Sequence, residues 1–158
     1  MSDFEKKREI IESLGAYISA PSGRSMRPML REGRDTVRVE ACEGRLRRYD
    51  VALYARGDGK HVLHRVIRVR ENGYVMRGDN CDYDEYGITD DMVIGRLVGF
   101  WRGERYVSCD ARSYRLYVRV HTLLYPCRFL RIRTFKFLRK VLSHIPFLRA
   151  LWHKLRRR

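Results

Sequence analysis

Three short stretches of the sequence hold side chains able to do nucleophilic chemistry. The first is Ser22-Gly23-Arg24-Ser25-Met26-Arg27-Pro28-Met29-Leu30. Ser25 lies just past a glycine-containing break and before a proline that fixes the backbone. Such a turn can hold a hydroxyl outward and aim backbone N–H groups at the same spot, as a serine nucleophile with an oxyanion hole requires. The second is His61-Val62-Leu63-His64-Arg65-Val66-Ile67, which alternates like a strand. A neutral imidazole there can take a proton from serine near neutral pH. On a regular strand His61 and His64 point to opposite faces, so only one of them can face the serine. The third is Arg77-Gly78-Asp79-Asn80, followed by Asp82, Asp84 and Glu85. A carboxylate from this turn could orient the histidine and stabilise its imidazolium form.

Each stretch has a plainer reading by itself. A lone serine in a loop is usually just that, and a strand histidine is usually hydrogen-bonded within its sheet. Gly-Asp-Asn is also an ordinary turn whose side chains bond their own backbone. The five carboxylates from Asp79 to Asp90 could suggest a calcium loop, but EF-hand spacing and its terminal glutamate are absent.

Taken in order, the stretches are more specific. G-x-S-M-x-P, then H-R-V-I, then G-D-N, then Ile94-Gly95-Arg96-Leu97-Val98-Gly99 resembles the type I signal peptidases and the wider S24/S26 serine peptidase family, over roughly residues 20–103. The resemblance places Ser25 at the nucleophile position. It places His64 where bacterial members carry a general-base lysine, as in the archaeal, endoplasmic-reticulum and sporulation-type branch. Asp79 matches the Gly-Asp-Asn carboxylate, and Asp84 and Glu85 both match a second carboxylate slightly downstream. The implied fold is a signal peptidase/LexA-like β-rich sandwich, partly coiled, with the nucleophile at the edge of a substrate groove. The implied reaction is acyl transfer without metal or organic cofactor. Ser25 attacks a peptide carbonyl, His64 moves the proton, Asp79 holds the ring, and the Ser25 N–H with Gly23 nearby receives the oxyanion. Substrate would add as a strand beside the groove, with small side chains next to the scissile bond. Self-cleaving LexA-type repressors share the fold but need a DNA-binding domain ahead of the nucleophile and a lysine base. Here 24 residues precede Ser25, and the nearest lysine, Lys60, lies four residues early.

The elements that must position these residues follow from periodicity. Residues 3–19 read as an amphipathic helix, with capping-box spacing at Ser2 and Glu5 and an apolar side of Phe4, Ile11, Leu14 and Ile18. Pro21, Ser22 and Gly23 break it. Short β-type runs follow at Thr36–Glu40, Val51–Ala55, Val62–Val69, Tyr74–Arg77, Val93–Trp101 and Tyr106–Ser108, with Asn72-Gly73 the strongest hairpin signal. These predict a mainly β, antiparallel sandwich or barrel-like body over residues 20–110. Helical period returns over 111–158, divided by Pro126 and Pro146. In the middle piece Leu130, Phe135, Phe137, Leu138, Val141 and Leu142 share one side and Arg133, Lys136, Arg139 and Lys140 the other, while Phe129, Arg131 and Ile132 do not fit.

Charge divides the 158 residues in the same way. Residues 1–110 hold 20 basic and all 19 acidic side chains, whereas 111–158 hold 14 basic and none acidic. With its Leu, Phe, Ile and Trp152, that tail suits an anionic membrane surface better than nucleic acid, whose binding arms are usually poorer in apolar residues; the plainer reading is that Tyr114–Leu124 packs on the body and the remainder is a solvated helix pair. No uncharged run is long enough to span a bilayer, the N-terminus lacks the apolar core of a secretory signal, and Cys42, Cys81, Cys109 and Cys127 form no C-x-x-C pair. The expectation is a cytoplasmic peptidase, peripheral at the inner face of the membrane through its tail, that cuts a peptide or protein precursor at a leader or signal-like segment. The alternative is a non-catalytic peptide- or membrane-binding module on the same fold.

Overall fold

At the N-terminus the capping box forms as its spacing predicts. The Ser2 hydroxyl accepts from the Glu5 N–H at 3.2 Å, and the Glu5 carboxylate accepts from the Ser2 N–H at 2.6 Å. These open helix α1, Asp3–Leu14. The structure, a computed structural model, describes the backbone of residues 2–143 and the side chains of residues 2–140. The break expected at Pro146 and the piece beyond it, with Trp152, lie outside the described residues.

The helix does not reach residue 19. Gly15 adopts φ 75°, the left-handed cap that ends a helix cheaply only at glycine. Beyond it Tyr17–Ser19 forms a strand, β1, and Ile18 is 56% exposed instead of completing the apolar side. Of the four residues expected on that side, Ile11 is buried in the core.

The remaining strands are β2 (Asp35–Glu40), β3 (Val51–Ala55), β4 (His61–Arg70), β5 (Gly73–Arg77), β6 (Glu85–Ile88), β7 (Val93–Arg102) and β8 (Arg105–Ser108). All six predicted runs are strands, and β1 and β6 are additional. Every pairing is antiparallel, in the order β1-β2-β7-β3-β4-β5-β6, with β8 also on β7. The protein is therefore mainly β: among the described residues eight strands form one continuous sheet, with a helix before it in the sequence and helices after it. Asn72-Gly73 closes the β4–β5 hairpin, where Arg70 pairs with Gly73. Gly73 sits at φ 137°, and a Cβ there would stand 2.2 Å from the Ile88 carbonyl oxygen, so only glycine fits.

Two apolar clusters hold the sheet. One joins Ile11, Met29, Val37, Val39, Leu97 and Phe100, and the other joins Ala52, Tyr54, Val66, Tyr74 and Met76. At the centre of β4 three consecutive residues, His64, Arg65 and Val66, are buried. Successive strand residues face opposite sides, so both faces of the sheet are covered there.

Helix α2 (Arg112–Leu123) brings Tyr114 and Val118 into the first cluster. Their spacing of four puts both on one helix face. The compact body consequently runs to Arg119, beyond the boundary expected at residue 110, and a second unit begins at Val120. Within that unit helix α3 spans Tyr125–Ser143, with Pro126 tolerated in its first turn. Among the described residues no helix is long and apolar enough to cross a membrane.

Candidate active site

Ser25 is carried by the turn between β1 and β2. Met26, Met29 and Leu30, just beyond it, are buried in the first cluster and anchor the turn. The Asn80 N–H donates to the Ser25 carbonyl at 2.7 Å, and the Asn80 amide donates to the Arg24 carbonyl at 3.3 Å. The Gly-Asp-Asn turn therefore grips the serine turn directly. The Ser25 N–H donates to no acceptor among the described residues. Gly23, two residues earlier, has φ 81°.

His64 comes from the buried centre of β4 and is 2% exposed. Its Nε2 has no hydrogen-bond partner among the described residues. A Cβ placed on Gly78 would stand 2.8 Å from that nitrogen and 2.8 Å from the Ser25 carbonyl oxygen. The glycine of Gly-Asp-Asn thus lets the imidazole and the serine turn meet over bare backbone.

The other ring nitrogen shows what holds the imidazole. His64 Nδ1 lies 3.2 Å from the Tyr54 hydroxyl, which itself donates to Glu85. Cross-strand register explains the meeting. His64 pairs with Ala52, and Tyr54, two residues along β3, points to the same face. Glu85 pairs with Met76 and Met76 with Val66, again on that face. Burial, and then the bond to Glu85, push the Tyr54 phenol far above its ordinary pKa, so it keeps its proton. With that proton given to Glu85, the phenol oxygen can only accept from the ring. The arrangement assigns the proton to Nδ1 and the lone pair to Nε2, the atom that stands over Gly78 together with the Ser25 carbonyl oxygen.

Glu85 Oε1 is 3.7 Å from Nδ1 and accepts from Arg56 at 3.3 Å. Asp84 instead pairs with Arg77. The geometry therefore separates the two downstream carboxylates, which sequence had left equivalent. Burial holds the His64 pKa below its usual value. The charges of Glu85 and Asp79 pull against it, and Arg56 adds to it. The resting ring is neutral at neutral pH.

Asp79 is buried beside Arg65. Arg65, adjacent to His64 but on the opposite face, donates to it in a fork, Nε to Oδ1 at 2.8 Å and Nη2 to Oδ2 at 2.7 Å. The same guanidinium donates to the Tyr49 carbonyl at 3.0 Å and the Tyr114 hydroxyl at 3.2 Å. Both Asp79 oxygens thus accept from a buried arginine, so Asp79 ties β4 to the turn and acts on His64 through its charge, while Tyr54 and Glu85 stand at the ring's Nδ1.

His61 lies on the other face of β4 from His64, as strand alternation requires, at the α1 side of the groove. Its Nδ1 lies 2.8 Å from Lys7 Nζ and 2.9 Å from Asp3 Oδ2 on α1. Ser25 and His64 line a groove of about 540 Å³ that also takes in Tyr17, Ser19 and residues 61–63. Two strand edges flank it. Among the described residues β1 pairs only with β2, and His61–His64 pairs only with β3, because β5 joins β4 from Arg65 onward. Among the described residues no group of three or more His, Cys, Asp or Glu is placed to hold a metal ion. No protein-family model matches the chain, and no curated protein matches it.

Proposed function

We propose that the protein is a serine endopeptidase that cuts a leader or signal-like segment from a peptide or protein precursor. One observation carries the reading. A buried histidine has one nitrogen fixed as a donor by a tyrosine–glutamate pair and its other nitrogen unpartnered beside a serine turn. An unsatisfied buried nitrogen is costly, and such costs are commonly kept where the atom has work to do.

In the proposed reaction Ser25 Oγ attacks the scissile carbonyl carbon while its proton passes to His64 Nε2. The imidazolium so formed is stabilised by Glu85 through the Tyr54 hydroxyl and by the Asp79 charge. The carbonyl oxygen, now anionic, accepts from the Ser25 N–H beside Gly23. As the tetrahedral intermediate collapses, Nε2 returns the proton to the leaving amine. Water then enters, His64 takes its proton, and the acyl group is released from Ser25 by the same steps in reverse. The two strand edges beside the groove suit a peptide that adds as a strand. The reduced, unbridged state of the cysteines fits a cytoplasmic setting.

The test is N-terminal proteomics of a host expressing the wild-type chain beside one expressing Ser25→Ala. New N-termini seen only with the wild type, and lost again in His64→Ala, are expected. Ser25→Ala should keep the wild-type melting profile, and His64→Ala is assayed well below its own melting midpoint, because it deletes a buried ring. Identical N-termini in the wild-type and Ser25→Ala strains, or a purified Ser25→Ala protein that still cuts a wild-type substrate, would overturn the reading. A folded protein that binds peptide in the groove without cleaving it would instead be a binding module.

A further inference from the structure

The proposed chemistry leaves the second unit unused. Helix α3 carries Arg128, Arg131, Arg133, Lys136, Arg139 and Lys140 with no acidic residue. Leu130, Phe135, Phe137 and Leu138 on the same helix are each more than half exposed. At 100° per residue these four fall within an arc of about 160°, and five of the six basic residues fall on the other side. Phe129 and Ile132 lie on the basic side and are half-buried. Phe129 is covered by the Tyr125 ring at 5.9 Å and by the Arg133 guanidinium at 5.2 Å. The two apolar residues that break the sequence pattern are thus partly covered, whereas the apolar arc faces outward.

Charge decides what fits that arc. A second copy of the helix would set basic side chains against basic side chains, since residues 111–158 hold no acid. Nucleic acid would neutralise the charges but leave Leu and Phe exposed. A bilayer with anionic headgroups complements both, taking the apolar arc at the acyl boundary and the basic arc at the phosphates. Arg131, inside the apolar arc, has a stem long enough to lift its charge to the headgroups. Six charges in 19 residues rule out a span, so the helix would lie flat.

We propose that residues 120–143 are a membrane-docking element that lies in the plane of an anionic lipid surface. The inference is independent of the peptidase reading, because it uses no residue of the groove.

The test is flotation of the full-length chain with vesicles. One set is phosphatidylcholine alone, and the other has a third of the lipid replaced by phosphatidylglycerol. The chain is expected to float with the anionic vesicles and stay behind with the neutral ones. Neutralising Arg131, Arg133 and Arg139 to Gln should weaken partitioning by roughly fivefold per arginine. Leu130→Glu with Phe137→Glu should abolish flotation and leave the melting of the body unchanged. Leu130→Ala with Phe137→Ala serves the same purpose without added charge, and should weaken flotation. Three results would each overturn the proposal. The first is no flotation with anionic vesicles, including the case where the chain binds duplex DNA instead. The second is flotation untouched by either apolar substitution. The third is a lipid-free dimer that the glutamate substitutions split.

Discussion

At the scale of single residues, the site turns on a phenol. Tyr54 stands between His64 Nδ1 and Glu85, and its oxygen accepts from the ring only because its proton is committed to the carboxylate. Tyr54→Phe removes that acceptor. The ring can then take the other tautomer, which cannot act as a base at Nε2. We expect kcat to fall roughly 10- to 100-fold with KM little changed. Glu85→Gln should cost more, about 10²- to 10⁴-fold, because the imidazolium formed in the transition state loses its counter-charge. The pH profile separates the two. Glu85 raises the His64 pKa against burial, so its neutralisation lowers that pKa further. In the proposed reaction the acid limb of kcat/KM should move to lower pH in Glu85→Gln. A limb that stays in place or moves upward would remove Glu85 from the ring's environment. Ser25, His64 and the Gly78-Asp79-Asn80 turn stand out in the sequence because each sits in a short contiguous word. Tyr54 does not, because a tyrosine inside Val-Ala-Leu-Tyr-Ala looks like any half-buried strand residue. Only the register of β3 against β4 makes it His64's neighbour.

At the scale of elements, β4 and the Gly-Asp-Asn turn form one unit through Arg65 and Asp79. Burial works against the Arg65 charge, but Asp79 and Tyr114 overcome it and the guanidinium stays ionised. Breaking such a pair from one side leaves a buried charge with half its partners. Asp79→Asn should therefore destabilise the fold by about 3–5 kcal/mol. Assayed well below its melting midpoint, it should lose less activity than Glu85→Gln. Thermal denaturation beside kcat/KM checks both, and a variant that melts like wild type with kcat collapsed would return Asp79 to the ring. The strands were legible where Val, Ile and Tyr runs end at turn residues. β1 and β6 were not, being three and four residues long, and Glu85-Tyr86-Gly87-Ile88 has no clear alternation. The apolar period runs on to Ile18, past the end of the helix at Leu14. Gly15, directly after Leu14, was the stop signal available in the sequence.

At the scale of the whole molecule, charge and compactness divide the chain at different places. Acidic residues end at Asp110, but the body needs helix α2, whose Tyr114 and Val118 complete its first core and whose Tyr114 hydroxyl receives Arg65. Composition alone could not place that boundary, because a basic helix that packs and a basic helix that does not share the same charge. Two truncations separate the readings. Ending the chain at Arg119 keeps both core side chains and leaves 23 basic against 19 acidic residues. It should melt within a few degrees of the full chain and lose most of its retention on a cation exchanger. Ending it at Asp110 removes the Tyr114 ring from Phe100, 6.3 Å away, and takes a bonding partner from buried Arg65. Deleting a large buried ring costs about 3–5 kcal/mol, a large part of a domain's stability. The shorter chain should accordingly melt well below the longer one or fail to fold. Equal melting of the two would show that α2 is not part of the body, and would move the boundary back to where the charge changes.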